Sequence, residues 1–358
     1  MKKMGIIALI WILSYTLSGC GLVRTMTCIQ KEKLNLFNWG EYIDPSLISG
    51  FEKANNVCVI LSTYESNESA IEQLRTQSFD VIVPSDYAIE QMVEEDMIQS
   101  LDWEKITGFN PTIDMTPGLL TILSALDFDL LDYGVPYFWG NVGIMYNKNI
   151  VTLNELETLE WNIFKSNTYK IAFYDSARDS FMVALKSLGY SMNTNTQIEL
   201  NEAENWLLEL ARKKNVDFFT SDISDAMVSL SYDIALVYSG DAVYLMSEQD
   251  SLEFFVPTTG TNVWVDALVI PKNAKNTALA YAFINYVSTQ TSAQMNSAYV
   301  MYSSPRKDVY EAMISETGDF YAYRSAYAVS VNSNDEVLRH SLTIKAFVTD
   351  AWIRIRAL

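Results

Sequence analysis

The chain has 358 residues, room for two domains of about 150 residues each. Hydrophobic residues make up 49% and charged ones 19%, the balance of a globular protein rather than a disordered one. The net charge of −19, from 44 acids against 25 lysines and arginines, disfavours nucleic acid as a partner and favours cationic ligands. A single histidine, His340, leaves no material for a catalytic histidine with its partners or for a histidine-based metal site, so no metal or cofactor is expected.

The chain opens on a targeting pattern. Lys2 and Lys3 form a positive start, and Met4 to Thr16 form an apolar run too short to span a bilayer. Leu17-Ser18-Gly19-Cys20 follows and resembles the lipobox of bacterial lipoproteins. The resemblance implies a signal peptide over 1–19, lipidation of Cys20, and a tether over 20–33 that holds the protein on the outer side of the cytoplasmic membrane. Stable anchoring of this kind takes more than one acyl chain. Cys28 and Cys58 then remain, and the compartment permits a disulfide. With Cys28 in the tether and Cys58 in an apolar strand, a buried free thiol at Cys58 is the expected state.

Leu34 to Trp39 reads as a strand that turns out through Gly40-Glu41-Tyr42. Asp44-Pro45 starts a helix, with aspartate at the cap and proline in the first turn. Val57 to Tyr64 is mostly apolar and is expected to be a strand buried on both faces. Ser66-Asn67 caps a helix through Ile71 and Leu74, Phe79 to Pro84 is a third strand, and Ala88 to Asp96 a helix. This alternation predicts an α/β fold on a parallel sheet, whose ligands bind beyond the carboxyl ends of the strands. Trp39, Tyr42, Ser85 and Tyr87 all fall at such ends.

Residues 98–135 carry weaker signals. The run Asp127-Phe128-Asp129 with Asp132 and Gly134 has the wrong spacing for a calcium loop, and Phe138 stands where the closing glutamate belongs, so a solvated acidic turn is expected. Val135 to Tyr146 reads as an extended crossing segment. A second α/β unit follows: a strand at Lys170 to Tyr174, helices at Asp179 to Leu188 and Asn201 to Lys213, and a strand at Ile234 to Tyr238. Ser239-Gly240-Asp241 opens the next helix, Phe254 to Val256 is a short strand, and helices close the chain at Thr277 to Ser288 and Thr343 to Arg356.

Between them lies Asn262 to Pro271, a strand rich in branched residues. Strand side chains alternate, so Trp264 and Asp266 share one face while Val263 and Val265 share the other. A π-face beside a carboxylate suits a compact organic cation. It equally suits a core tryptophan beside a satisfied aspartate, and the spacing alone leaves both readings open.

Several stretches, in order, resemble the spermidine/putrescine-binding proteins, the substrate-binding lipoproteins of polyamine ABC transporters. They are Phe37-Asn38-Trp39-Gly40-Glu41-Tyr42, Ser62 to Glu68 (STYESNE), Asp80 to Tyr87 (DVIVPSDY), Pro136 to Gly140 (PYFWG), Ala177-Arg178, Leu188-Gly189-Tyr190, and Trp264-Val265-Asp266 with Ile270 to Asn276. They cover about residues 34–310. The resemblance implies a two-lobe, periplasmic-binding-protein-like (type II) fold hinged around a cleft. The expected lobes are 34–141 plus about 268–304, and 142–267 plus about 305–358. It also implies a monomer that hands a polyamine to a membrane permease and is not an enzyme. The cleft is then lined by Trp39, Tyr42, Ser85, Tyr87, Trp264, Asp266 and Tyr302, with Asp179 taking an amino group and Tyr238 standing where the family usually has tryptophan.

Three positions depart from that pattern. Gly40 replaces a hydroxyl residue, Ser176 stands where an aspartate is common, and no glutamine is found near the C-terminus, where Leu338 or Arg339 falls. A cleft with Asp179 and Asp266 and no facing lysine or arginine would carry uncompensated negative charge when empty, raising the carboxyl pKa values. The alternatives are a sugar- or oligopeptide-binding lipoprotein and a carboxylate-dependent glycosidase; no carboxylate pair here stands in a recognisable catalytic motif.

Overall fold

A computed structural model describes Cys28 and residues 30–358 apart from 125, 127 and 221. The signal peptide, Cys20 and most of the tether lie outside the described residues, as does Asp127 of the acidic run. Elsewhere in that run, Asp129 accepts a hydrogen bond from the Leu131 backbone N–H at 3.0 Å and caps a single 3-10 turn, Leu130–Asp132.

Strands and helices alternate as expected at the start. Strand β1 (Lys33–Trp39) pairs in parallel with β2 (Cys58–Tyr64), from Lys33 opposite Cys58 to Trp39 opposite Tyr64. The helix between them, Pro45–Asn55, begins where the Asp44 side chain accepts from the Ser46 N–H, and ends on Asn56 in the left-handed region. Helix Asn67–Thr76 is capped in the same way by Ser66. Strand β3 is only Val81–Ile82, shorter than expected. On one side of it Asp80 turns its carboxylate onto the backbone N–H groups of Asn35, Lys275 and Asn276, and on the other Pro84 has no N–H to give.

The remaining strands are β4 (Gly134–Asn147), β5 (Ile171–Tyr174), β6 (Val216–Phe219), β7 (Ile234–Tyr238), β8 (Leu252–Phe255) and β9 (Val263–Val269). The sheet is mixed rather than parallel, in the order β2-β1-β3-β9-β4-β7-β5-β6, with β8 also on β4. Strand β9, arriving from far along the chain, enters antiparallel between β3 and β4. Strand β4 is the crossing segment. All its residues are buried; its first half pairs with β9 and its second with β7 and β8.

Buried side chains form one large cluster on residues 34–139 and 263–287, with Val329 and Val337 added. Two further clusters use residues from Val142 to Phe254 together with Val309 to Ile355. Two expectations fail at the first cluster's edge. Strand β2 is not buried on both faces: it is the outermost strand, and Ile60 and Leu61 are 41% and 40% exposed. Cys58 is not a free thiol but is joined to Cys28 by a disulfide. The arm before β1 lies beside the start of β2, so the two cysteines meet. Among the described residues no group of three or more His, Cys, Asp and Glu side chains could hold a metal ion, and no helix is long and apolar enough to cross a membrane.

The disulfide closes a loop of sequence separation 30 at the end of β2 remote from Tyr64. Replacing both cysteines by serine should lower unfolding stability by about 2–4 kcal/mol, measured by denaturant melts, and leave ligand affinity unchanged, because the cleft described next lies at the opposite end of these strands.

Candidate binding cleft

All nine residues picked from the sequence line one cavity of about 900 Å³: Trp39, Tyr42, Ser85, Tyr87, Asp179, Tyr238, Trp264, Asp266 and Tyr302. Trp39, Tyr238, Trp264 and Asp266 reach it from strands, Tyr42 and Ser85 from the turns after strands, Tyr87 and Asp179 from the first turns of helices, and Tyr302 from just past the end of helix Gln290–Val300. Trp39 ends β1 and is fixed by a 2.9 Å hydrogen bond from its indole N–H to the Val83 carbonyl. Ser85 and Tyr87 follow β3 and are set by one buried side chain, Asn67, whose amide donates to the Ser85 hydroxyl at 3.0 Å and the Tyr87 hydroxyl at 2.9 Å. Asn67 belongs to the STYESNE run, which gives that sequence a local reason: it orders the two residues that follow the next strand.

Strand β9 presents Trp264 and Asp266 on the same face, as its alternation requires. Opposite Trp264 in register stands Gly140, where a Cβ would fall 2.6 Å from the indole ring. A Cβ on Gly240 would likewise meet the Tyr302 ring at 2.5 Å. These glycines are the room two cleft aromatics occupy. Tyr302 packs edge-on against Trp264 at 5.2 Å and against Tyr42 at 5.8 Å, and Tyr238 meets Trp264 edge-on at 6.1 Å.

Three tyrosines each donate to an aspartate. Tyr42 bonds Asp266 at 2.8 Å, Tyr238 bonds Asp179 at 2.7 Å, and Tyr302 bonds Asp241 at 3.2 Å. Each phenol satisfies one carboxylate oxygen with a neutral donor and leaves the charge in place. Burial pushes Asp266 and Asp241 up to about 6, against the pull of neighbouring hydroxyls. Burial also drives Asp86 to about 8, although it accepts from the Val265 and Tyr87 backbone N–H groups at 2.8 and 2.6 Å. The three phenols are raised well above their ordinary range, first by burial and then by the aspartates beside them. Three buried polar atoms of the lining make no hydrogen bond: Asn262 Oδ1, Trp264 Nε1 and Asp266 Oδ1. Buried groups of this kind are rare away from ligand sites.

Charge in the cleft is one-sided but not free of cations. Glu41, Glu65, Asp86, Asp175, Asp179, Asp241 and Asp266 line it against one base, Arg178. The expectation of no facing lysine or arginine is therefore corrected. Arg178 is paired not with Asp179 or Asp266 but with Glu68, and its guanidinium lies 4.3 Å over the Tyr87 ring. Burial acts to raise Glu68, yet the charge and hydrogen bond of Arg178 bring it below the usual range.

The three departures find local explanations. A side chain at Gly40 would meet nothing within 4 Å, so the lost hydroxyl leaves open space at the cleft. Ser176 caps helix Ala177–Ser187, and its neighbour Asp175 cannot replace the missing acid, because its oxygens accept from Trp352 at 3.0 Å and Arg356 at 3.2 Å. Leu338 reaches the cleft while Arg339 turns to Glu90, which accepts from its Nη2 at 2.5 Å. The residue sequence reasoning missed is Asp241. It follows the β7 end by the same logic that singled out Tyr87 after β3, and was read only as a helix start.

The comparisons agree with this architecture. A family described as bacterial extracellular solute-binding protein matches residues 46–322. The spermidine/putrescine-binding periplasmic protein of Escherichia coli strain K12 is 33% identical over 279 residues, covering 76% of this chain and 77% of its own length. The crystal structure of the spermidine/putrescine ABC transporter substrate-binding protein PotD from Streptococcus pneumoniae superposes with a TM-score of 0.72 at 29% identity, covering 91% of this chain and 99% of the other. The PotD lipoprotein of Treponema pallidum gives a TM-score of 0.77 at 25% identity, covering 91% of this chain and all of that one (100%). The chain belongs to the family of bacterial extracellular solute-binding proteins that includes the spermidine/putrescine-binding periplasmic proteins.

Proposed function

We propose that this protein captures a polyamine in the cleft and delivers it to an ABC permease, and that Cys20 anchors it by lipid to the outer face of the cytoplasmic membrane. The observation that carries the reading is the arrangement of Asp179, Asp241 and Asp266, each held by a tyrosine hydroxyl inside one cavity whose lining base, Arg178, is already paired with Glu68. Ammonium groups would relieve the cost of burying those carboxylates, and the methylene chain would lie along the faces of Trp39, Tyr87, Trp264 and Tyr302. The spermidine/putrescine-binding relatives point the same way. Two lobes, one on the first buried cluster and one on the other two, would close on the ligand about β4 and the chain entering β9. The targeting pattern at residues 2–20 and the lipoprotein relative support the anchor.

Titration calorimetry with putrescine, spermidine and spermine, with maltose as the neutral control, tests this directly. Amine affinity should fall as salt is raised, and maltose should give no heat. Asp266→Asn should weaken amine binding by about 10- to 100-fold, the worth of a charge-assisted hydrogen bond. Unchanged binding in that variant would take Asp266 out of the mechanism.

Two opposite pH trends should appear together. A carboxyl whose pKa is raised by folding holds its proton more tightly in the native state, so Asp266 and Asp241 cost the empty protein stability as pH rises from about 4 to about 6, and Asp86 extends that loss to about 8. The ligand needs the ionised carboxylates, so amine affinity should rise across pH 5 to 7, the interval centred on the value of about 6 for Asp266 and Asp241. Melting curves with and without spermidine over this range should diverge as pH increases.

A further inference from the structure

Beside the cleft lies a second cavity of about 280 Å³. The two share Tyr87, Ser176, Arg178 and Leu338, so the guanidinium of Arg178, stacked 4.3 Å over the Tyr87 ring, stands in the wall between them. The floor of the second cavity is apolar, formed by the buried side chains of Phe181, Leu185 and Met192. Its edge is made of ion pairs: Arg178 and Lys345 both face Glu68, and Arg339 faces Glu90.

This chamber is chemically unlike the cleft it adjoins. A free ammonium pushed into it would meet bases whose carboxylates are already engaged, above a floor that cannot solvate a charge. An uncharged hydrocarbon arm would gain by burial there. Arg178 makes its hydrogen bond to Glu68 through one nitrogen, and a guanidinium carries five N–H donors, so it retains donors for a carbonyl oxygen at the wall.

We propose that the chamber is a subsite for the apolar arm of an N-acylated amine. The free ammonium would sit among Asp179, Asp241 and Asp266, Arg178 would take the amide oxygen, and the acyl chain would lie on Phe181, Leu185 and Met192. This rests on the reading of the cleft as an amine site.

The test compares putrescine, N-acetylputrescine and N-butanoylputrescine by calorimetry on the full chain. The butanoyl compound should bind about tenfold more tightly than the acetyl one, from two further buried methylenes. Ile344→Trp and Thr349→Trp, both on the chamber's lining and neither on the cleft's, should bring that ratio close to one while putrescine affinity stays within about twofold of the parent. Putrescine serves as the folding control in each variant, and Thr349 is exposed, so at least that substitution is tolerated by packing. A butanoyl-to-acetyl ratio near one in the parent protein, or a tenfold ratio that survives both tryptophans, overturns the subsite and leaves the cleft reading standing. Loss of putrescine binding in the parent overturns the cleft reading itself.

Discussion

A buried carboxylate whose hydrogen-bond partners are neutral hydroxyls has no positive charge beside it to balance its own. This condition, repeated at Asp179, Asp241 and Asp266, organises the cleft. The tyrosine hydroxyls orient the acids, and the rings that carry them build the walls. An arginine or lysine in the same places would satisfy the acids in the empty protein and leave nothing for a ligand to do. Among the described residues of the lining the one base, Arg178, is engaged by Glu68 and lies over the Tyr87 ring.

The fold serves this arrangement by bringing distant strand ends to one place. Strand β9 lies between β3 and β4, which sets Asp266 beside Ser85 and Tyr42 although more than 180 residues separate them in the chain. The close approaches at Gly140 and Gly240 then let Trp264 and Tyr302 pack ring against ring. The cost of holding acids in such a place is met by packing elsewhere: β4 is buried along its whole length, and each half of it belongs to a different core.

Much of the site was legible in the sequence because its logic is local. A strand end announces itself by a branched run and a turn, so Trp39, Tyr42, Ser85 and Tyr87 could be grouped without knowing the sheet. Alternation alone placed Trp264 with Asp266. What escaped was set by partners remote in the chain. Arg178 looked absent from the cleft because nothing near it in sequence reveals its pairing with Glu68, 110 residues away. The exposed face of β2 escaped because an apolar strand reads the same at an edge as in the middle of a sheet. The antiparallel entry of β9 and the link between Cys28 and Cys58 are long-range events of the same kind.

That link has a mechanical consequence. Strand β1 is flanked on both sides, by β2 and β3, and the polypeptide enters it from Cys28. Tension applied upstream of Cys28 is carried through sulfur to the outer strand before it can reach the ladder of β1. A pull along the chain ahead of β1 would thus be a load shared between two strands, spread before it reaches the cleft at their far ends.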